Sequence, residues 1–347
     1  VLGGAHADIL TDGVQGFIMV GVGILVAVLF CLGYGIEGGF DGMIGALRSQ
    51  DENLVGWLNV TDVLYHSWWS IFAVFLAHVP LGMLPHIGNK LWALKDPSQQ
   101  MQFVRLAFVF AMILAMLGFG GIMARVILGE GIDSNQALAL LFIDLFPAWF
   151  AALLGVGILA AVMSTADGLV VSSSQIVAND LYRLSFVPRF RKDLSEEEIE
   201  RRSLKISRIS TVVIMLLCTL LAWQTLDMNV TILVWIGVGC MMAAFAGPLI
   251  LGSAWSGVTK AGAFSGLLSG GGVYIVTYLG LIDPDWFNAG MLKEGALWLQ
   301  REAPNPYSCA AMGEIVSVIV TVVVSKLTKP YAKEHIDLLF GKEKGVA

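Results

Sequence analysis

Charge is what this chain has least of. Asp, Glu, Lys and Arg make up 14% of its 347 residues, against 56% hydrophobic residues. With a mean hydropathy of +0.76, too little polar surface is left to coat a water-soluble globule of this length, which excludes a soluble enzyme or binding domain. Cysteine is sparse too. Cys31, Cys218, Cys240 and Cys309 stand singly in or beside apolar runs, without CxxC or Cys/His spacing. They read as small core residues, not as a disulfide framework or metal site. GxSxG, HExxH, a Walker loop and a GxGxxG before a helix are all absent, so no hydrolase, zinc-protease or nucleotide-cofactor chemistry is expected. No basic patch suggests a nucleic-acid partner. The start, Val1-Leu2-Gly3-Gly4, has neither an initiator methionine nor a basic leader, and an upstream part of the protein is expected to precede it.

What is present is a series of apolar runs, about eight of them long enough to span a bilayer: 11–33, 63–86, 103–128, 148–179, 209–226, 230–253, 261–281 and 308–327. The expected fold is therefore all-α, a polytopic transmembrane helix bundle. Lys/Arg placement sets its orientation. If the first run enters from the cytoplasm, only Arg48, Arg125, Lys293 and Arg301 fall outside, and every other Lys and Arg falls inside. Both ends of the chain are then cytoplasmic, as are a charged loop at 183–208 and a tail at 328–347. Trp57, Trp68, Trp69, Trp149, Trp223, Trp286 and Trp298 sit near the outer boundary, like an aromatic belt. Residues 1–347 read as one membrane domain in a lipid bilayer.

Within the spans, four features stand out. Pro188 is expected to break the fourth span's helix, and Ser195 with Glu198 makes a capping box for a short charged, solvated helix leading into the next span. ALALLFIDLFP, ahead of the fourth span, is too short to cross and reads as an interfacial helix ended by Pro147. Gly262, Gly266 and Gly270 recur every fourth residue, a spacing that lets helices approach closely. The second run carries His78, Pro80, Gly82, Pro85 and His86, so it is expected to break between Ala77 and Gly82, where Pro80 frees the carbonyl of Leu76. Broken helices either shape packing or line a cavity and hold ions and solutes.

The stretch from Leu159 to Tyr182, LAAVMSTADGLVVSSSQIVANDLY, places Ser164, Thr165 and Asp167 inside a membrane-grade run. A carboxyl group there costs roughly 2.5–3.5 kcal/mol on insertion scales, so it marks a functional position by default. Neighbouring hydroxyls are hard, uncharged oxygens suited to small alkali cations. Each hydroxyl alone can also be satisfied by the carbonyl four residues earlier.

The phrase AAVMSTADGLVVSSSQIVANDLY resembles the signature of the sodium:solute symporter family. GGAHADILTDGVQG, LGMLPHIGNKLWALKD and FAGPLILGSAWSGVTKAGAFSGLLSG resemble other segments of that family in the same order. The phrase around Pro85-His86 is nearest the pantothenate and proline branches. The resemblance implies a five-plus-five inverted-repeat transporter fold, of which these runs are the last eight of about thirteen. It implies sodium held by the Ala161 carbonyl and the Ser164 and Thr165 hydroxyls, with the remaining ligands on helices upstream. Asp12 would lie on the sodium release path, a role compatible with capping the first span. Asp167 would be a partner on that cytoplasmic route. A small organic solute of the pantothenate, amino acid or monocarboxylate class would be taken up with sodium, without an organic cofactor. Ala77, His78, Pro80, Leu81 and Trp235 would line its pocket, though Trp235 is equally readable as an interfacial anchor. A symporter-like membrane sensor is the rival function.

Overall fold

A computed structural model describes residues 4–60, 62–92, 94 and 96–340. Residues 341–347 of the expected tail lie outside the described residues. The first helices are α1 (Gly4–Leu32), α2 (Gly39–Gln50), α3 (Trp68–Ala77) and α4 (Pro85–Trp92). They are followed by α5 (Pro97–Ala115), α6 (Gly118–Ile127), α7 (Ala137–Leu145) and α8 (Ala148–Gln175). Next come α9 (Val187–Phe190), α10 (Glu196–Gln224), α11 (Val230–Phe245) and α12 (Gly252–Ala254). The last four are α13 (Lys260–Tyr278), α14 (Met291–Glu302), α15 (Pro306–Leu327) and α16 (Lys333–Phe340). No strand occurs among the described residues. This is an all-α protein.

Among the described residues six helical stretches are long and apolar enough to cross a membrane: Ile9–Leu32, Pro97–Ile127, Ala148–Phe190, Glu196–Gln224, Val230–Ala254 and Pro306–Leu327. Each corresponds to one of the expected runs. The other two runs differ for physical reasons. The run at 63–86 yields only a ten-residue helix, α3, followed by a 3-10 turn over Leu81–Met83. The run at 261–281 forms α13, whose 19 residues include Gly262, Gly266, Gly270, Gly271 and Gly272. Glycine dilutes its apolar character.

The chain divides into two compact units. One comprises Val1–Val55 with Pro85–Met228, the other Gly56–Leu84 with Asn229–Ala347. In the first unit α1 packs along α8 and also touches α5 and α6. Val22, Val26, Phe142, Ala151 and Leu154 form one core there; Leu29, Met43, Leu47, Met123 and Leu141 form another. The interfacial helix is α7, and it ends at Leu145, before Pro147. One expectation is corrected in this unit. The helical path does not stop at Pro188: it widens into π winding over Ile176–Phe186 and runs to Phe190, with Pro188 in the first turn of α9. The missing proline N–H falls where the winding changes from π to α, and the helix ends two residues later. The charged helix capped by Ser195, whose hydroxyl accepts from Glu198 N–H, leads straight into the next span. It is the start of the 29-residue α10.

In the second unit α15 is the central element, packed by α13, α11, α3 and a π turn over Ala246–Leu251. The glycine ladder explains the contact. A Cβ on Gly262 would overlap Ser325 Oγ, on Gly266 Thr321 Oγ1, and on Gly270 the Ala243 carbonyl oxygen. These glycines are there for close approach, as the spacing indicates.

Candidate ion and solute sites

In the first unit, Gly157 sets how closely α8 lies on α1. Its Cβ would come within 2.7 Å of Val22 Cγ2. Seven residues is almost two full turns, so Ser164 occupies the same face of α8 as Gly157. There the Ser164 hydroxyl donates to Asp12 Oδ1 of α1 at 2.7 Å. Thr165 Oγ1 donates to the Ala161 carbonyl at 3.4 Å. Three oxygens named from the sequence, on Ala161, Ser164 and Thr165, thus sit within one turn of α8, and a carboxylate touches the middle one. Gln15, one turn beyond Asp12, adds a shielded side-chain oxygen with no hydrogen-bond partner. Asp12 also borders an apolar cleft of about 590 Å³, with Ile9, Gly13, Gly16, Phe17 and Phe103 among its walls. Asp167 is half-buried, and it lies three residues from Ser164, on the same side of α8.

In the second unit the chain breaks where Pro80 requires. α3 ends at Ala77, and His78 caps it. The freed carbonyl is not that of Leu76, however, which accepts from Val79 N–H at 2.9 Å. A tightened turn takes up the bond that proline removes, a common ending for helices. The Val74 carbonyl is taken as well, by His78 Nδ1 at 2.6 Å. A carbonyl only accepts, so that bond puts a proton on Nδ1.

The residues expected to line a pocket separate into two sets. Ala77 and Pro80 are fully buried in packing, and Leu81 is half-buried. His78 is exposed and meets Trp235 of α11, with ring centroids 4.5 Å apart. Trp235 in turn lies 4.2 Å from the ring of Tyr307 of α15, and Tyr307 stacks at 6.0 Å on His78. Trp235 is held from behind, its carbonyl accepting from Tyr274 Oη at 3.3 Å. It is a member of an aromatic cluster, not a ring standing alone at a helix end.

Tyr307 escaped the sequence reading, although an aromatic just inside a span, after the Asn305-Pro306 start, was visible. A second omission is the polar group beside it. Glu302 is fully buried, accepts from Ser308 Oγ at 2.8 Å and pairs with His66 Nε2 at 2.8 Å. Trp69 Nε1 donates to the same Ser308 oxygen at 2.6 Å. A buried acid is invisible to hydropathy until its partners are known, and although Ser308 is six residues away, His66 is 236 positions away in sequence.

A multi-pass helical membrane protein with a broken helix, a glycine-packed bundle and paired hydroxyls beside an acid is thereby defined. A sequence model of the sodium:solute symporter family matches residues 1–270, and the chain belongs to that family. It is 27% identical over 288 residues to the sodium/pantothenate symporter of Haemophilus influenzae, covering 81% of this chain and 56% of that protein. The Escherichia coli sodium/pantothenate symporter is 26% identical over 281 residues, 79% of this chain and 54% of that one. A Staphylococcus aureus sodium/proline symporter is 27% identical over 339 residues, 97% of this chain and 61% of that one. The chain thus spans a little over half the length of these relatives. All three are named as symporters, which are transporters and not enzymes.

Proposed function

We propose that the full-length protein couples inward sodium flow to uptake of a small organic solute by alternating access, with no organic cofactor. The observation that carries this reading is the α1–α8 contact, where Ala161, Ser164 and Thr165 cluster and Asp12 meets Ser164. Sodium is held by the carbonyl of Ala161 and the hydroxyls of Ser164 and Thr165. Neutral oxygens suit a singly charged hard cation, whereas calcium calls for more carboxylates. The Ser164 hydroxyl that donates to Asp12 still has lone pairs to offer an ion. Asp12 of α1, and Asp167 about one turn from Ser164 on α8, receive the departing ion on the cytoplasmic side.

The solute is of the pantothenate, amino acid or monocarboxylate class, and the exposed face of the His78–Trp235–Tyr307 cluster is where its apolar part rests. The fold is a five-plus-five inverted repeat with about eight spans in this segment, set in the cell membrane with both of the segment's ends cytoplasmic. The transport names of its relatives favour this reading over a membrane sensor.

One uptake experiment in vesicles holding the full-length protein tests both sites. Ser164→Ala with Thr165→Ala raises the sodium concentration for half-maximal uptake about tenfold or more, equivalent to about 1.4 kcal/mol. Trp235→Ala weakens competition by preferred solutes and leaves sodium dependence in place. Unchanged sodium dependence in the first variant removes this ion site, and unchanged solute preference in the second moves the pocket elsewhere.

A further inference from the structure

One acid in the second unit has no place in that scheme. Glu314 lies midway along α15, only 3% exposed, and its Oε1 has no hydrogen-bond partner. It falls beyond the residues matched by the family model. Its surroundings are fixed. One turn earlier, Ala310 packs with Ala77 of α3 and Ala243 of α11. One turn later, Ser317 accepts from Gly247 N–H at 3.1 Å and donates to the Ala244 carbonyl at 3.3 Å. Next to it, a Cβ on Gly313 would come within 2.7 Å of the Gly270 carbonyl oxygen, so the backbone has no room to carry the carboxyl outward.

Among the described residues no cation compensates it. The elements packed on α15 are α3, α11, the Ala246–Leu251 turn and α13. Among the described residues their titratable or charged groups are Cys240, Tyr274, Tyr278 and Lys260, with His78 at the end of α3. On α15 itself stand Tyr307, Cys309 and Lys326. Lys260 begins α13 beside the Ser325 end of α15. Lys326 is twelve residues from Glu314, about 18 Å along a helix. An ionised carboxylate without a cation is the costly form in such a place; the neutral acid fits it.

Two flanking elements depart from regular α-helical winding. α3 is ten residues long and stops at Ala77, and α11 leaves α-helical winding at Ala246. π segments inside helices are frequent at functional sites.

We propose that Glu314 is a proton-binding site: it holds a proton on its carboxyl in this conformation and releases it to water when the α3–α11 side opens, so that solute uptake carries a proton-dependent step beside the sodium-dependent one. The coupling rests on the transport reading above; the protonation itself does not. A buried carboxyl that serves only packing would be left neutral throughout the cycle.

The experiment uses the full-length protein in two forms. In vesicles, wild-type uptake falls as external pH rises, by up to about tenfold per unit once the site is mainly deprotonated. Glu314→Gln, which mimics the protonated acid, loses that fall, and Glu314→Asp keeps it at a shifted midpoint. Sodium half-saturation is unchanged in Glu314→Gln. In purified protein, infrared difference spectra across the same pH range show a carboxyl C=O band that Glu314→Gln removes, and His66→Gln, which alters the separate Glu302 pair, retains it. A folded Glu314→Gln with the wild-type pH profile, or a pH-titrating spectrum from which no band is lost, overturns the proposal. If Glu314→Gln does not fold, Glu314→Met replaces it under the same criteria. If wild-type vesicles take up no solute, the transport reading fails while the infrared band still decides the proton site.

Discussion

Two membrane-length helices, α15 in one unit and α10 in the other, are built on opposite plans. The span Pro306–Leu327 has 56% of its most apolar window buried by protein, whereas Glu196–Gln224 has 6%. α15 turns its small and polar residues inward: Ser308, Ser317, Thr321 and Ser325 are all buried. α10 turns Leu216, Leu220, Leu221 and Trp223 outward, each more than half exposed. Hydropathy alone does not separate them, at 2.0 and 1.9. The difference is in what surrounds each side chain. A span covered by protein gains from small residues and internal hydrogen bonds, while a span facing lipid needs only an apolar surface and its own backbone bonds.

The strongest test of this contrast is Gly266→Leu, which places a side chain where Thr321 Oγ1 already sits and where the Ser317 carbonyl oxygen is 2.9 Å from the new Cβ. Overpacking of this kind is expected to cost at least about 3 kcal/mol. Gly121 of α6 has nothing within 4 Å of its would-be Cβ, so Gly121→Leu is expected to be neutral or stabilising by up to about 1 kcal/mol, as a helix-interior glycine is replaced by a better helix former. Thermal unfolding of the full-length protein in detergent ranks the two. Equal losses would show that glycine is needed in these helices for some reason other than close approach.

A smaller effect is expected from Ser317→Ala. Its hydroxyl bridges Gly247 N–H and the Ala244 carbonyl at the start of the π turn. Removing it leaves a buried amide without its acceptor, at a cost of about 1–3 kcal/mol. Hydrogen exchange at Gly247, measured beside the unfolding midpoint, distinguishes a local loosening of the π turn from a general loss of packing. If neither changes, water or a rearranged backbone has satisfied the amide.

These two substitutions also show which parts of the molecule were legible in advance. The period of Gly262, Gly266 and Gly270 announced a close helix contact because only one residue type leaves that much space. Pro80 located the end of α3 because a proline removes a specific N–H. It did not reveal which carbonyl remains free, since a tightened turn reassigns the bonds. Ser164 and Thr165 stood out as adjacent hydroxyls in an apolar run, and Ala161 joined them only through the resemblance to the symporter family. The contact of Ser164 with Asp12 lies 152 residues away, and linear spacing has no means of reporting it. For the same reason Tyr307, Glu302 and Glu314 were passed over. Their importance comes from partners, or the lack of them, in three dimensions, and an acid in an apolar run is averaged away by its neighbours. The extent of π winding after Gln175 was hidden as well, because Pro188 signals a helix end whether or not the preceding turns can widen.

The smallest effect should come from Thr219 on α10. Like Ser317 it is a hydroxyl in a span, but it is exposed, and its Oγ1 donates to the Met215 carbonyl of its own helix at 2.9 Å. In a regular helix that carbonyl also receives the backbone N–H four residues on, so deleting the hydroxyl orphans nothing. Thr219→Val retains the branched shape and exchanges a polar atom for a methyl group on a face already formed by leucines. Back-bonding of this kind slightly destabilises and bends helices, so the change should be neutral or slightly stabilising, within about 0.5 kcal/mol. Unfolding midpoints of Ser317→Ala and Thr219→Val, measured together in lipid nanodiscs, give the ratio that matters. A loss for Thr219→Val as large as that for Ser317→Ala would mean that this face of α10 is covered by protein in the full-length molecule, and the contrast between the two helices would then be one of partners, not of solvent.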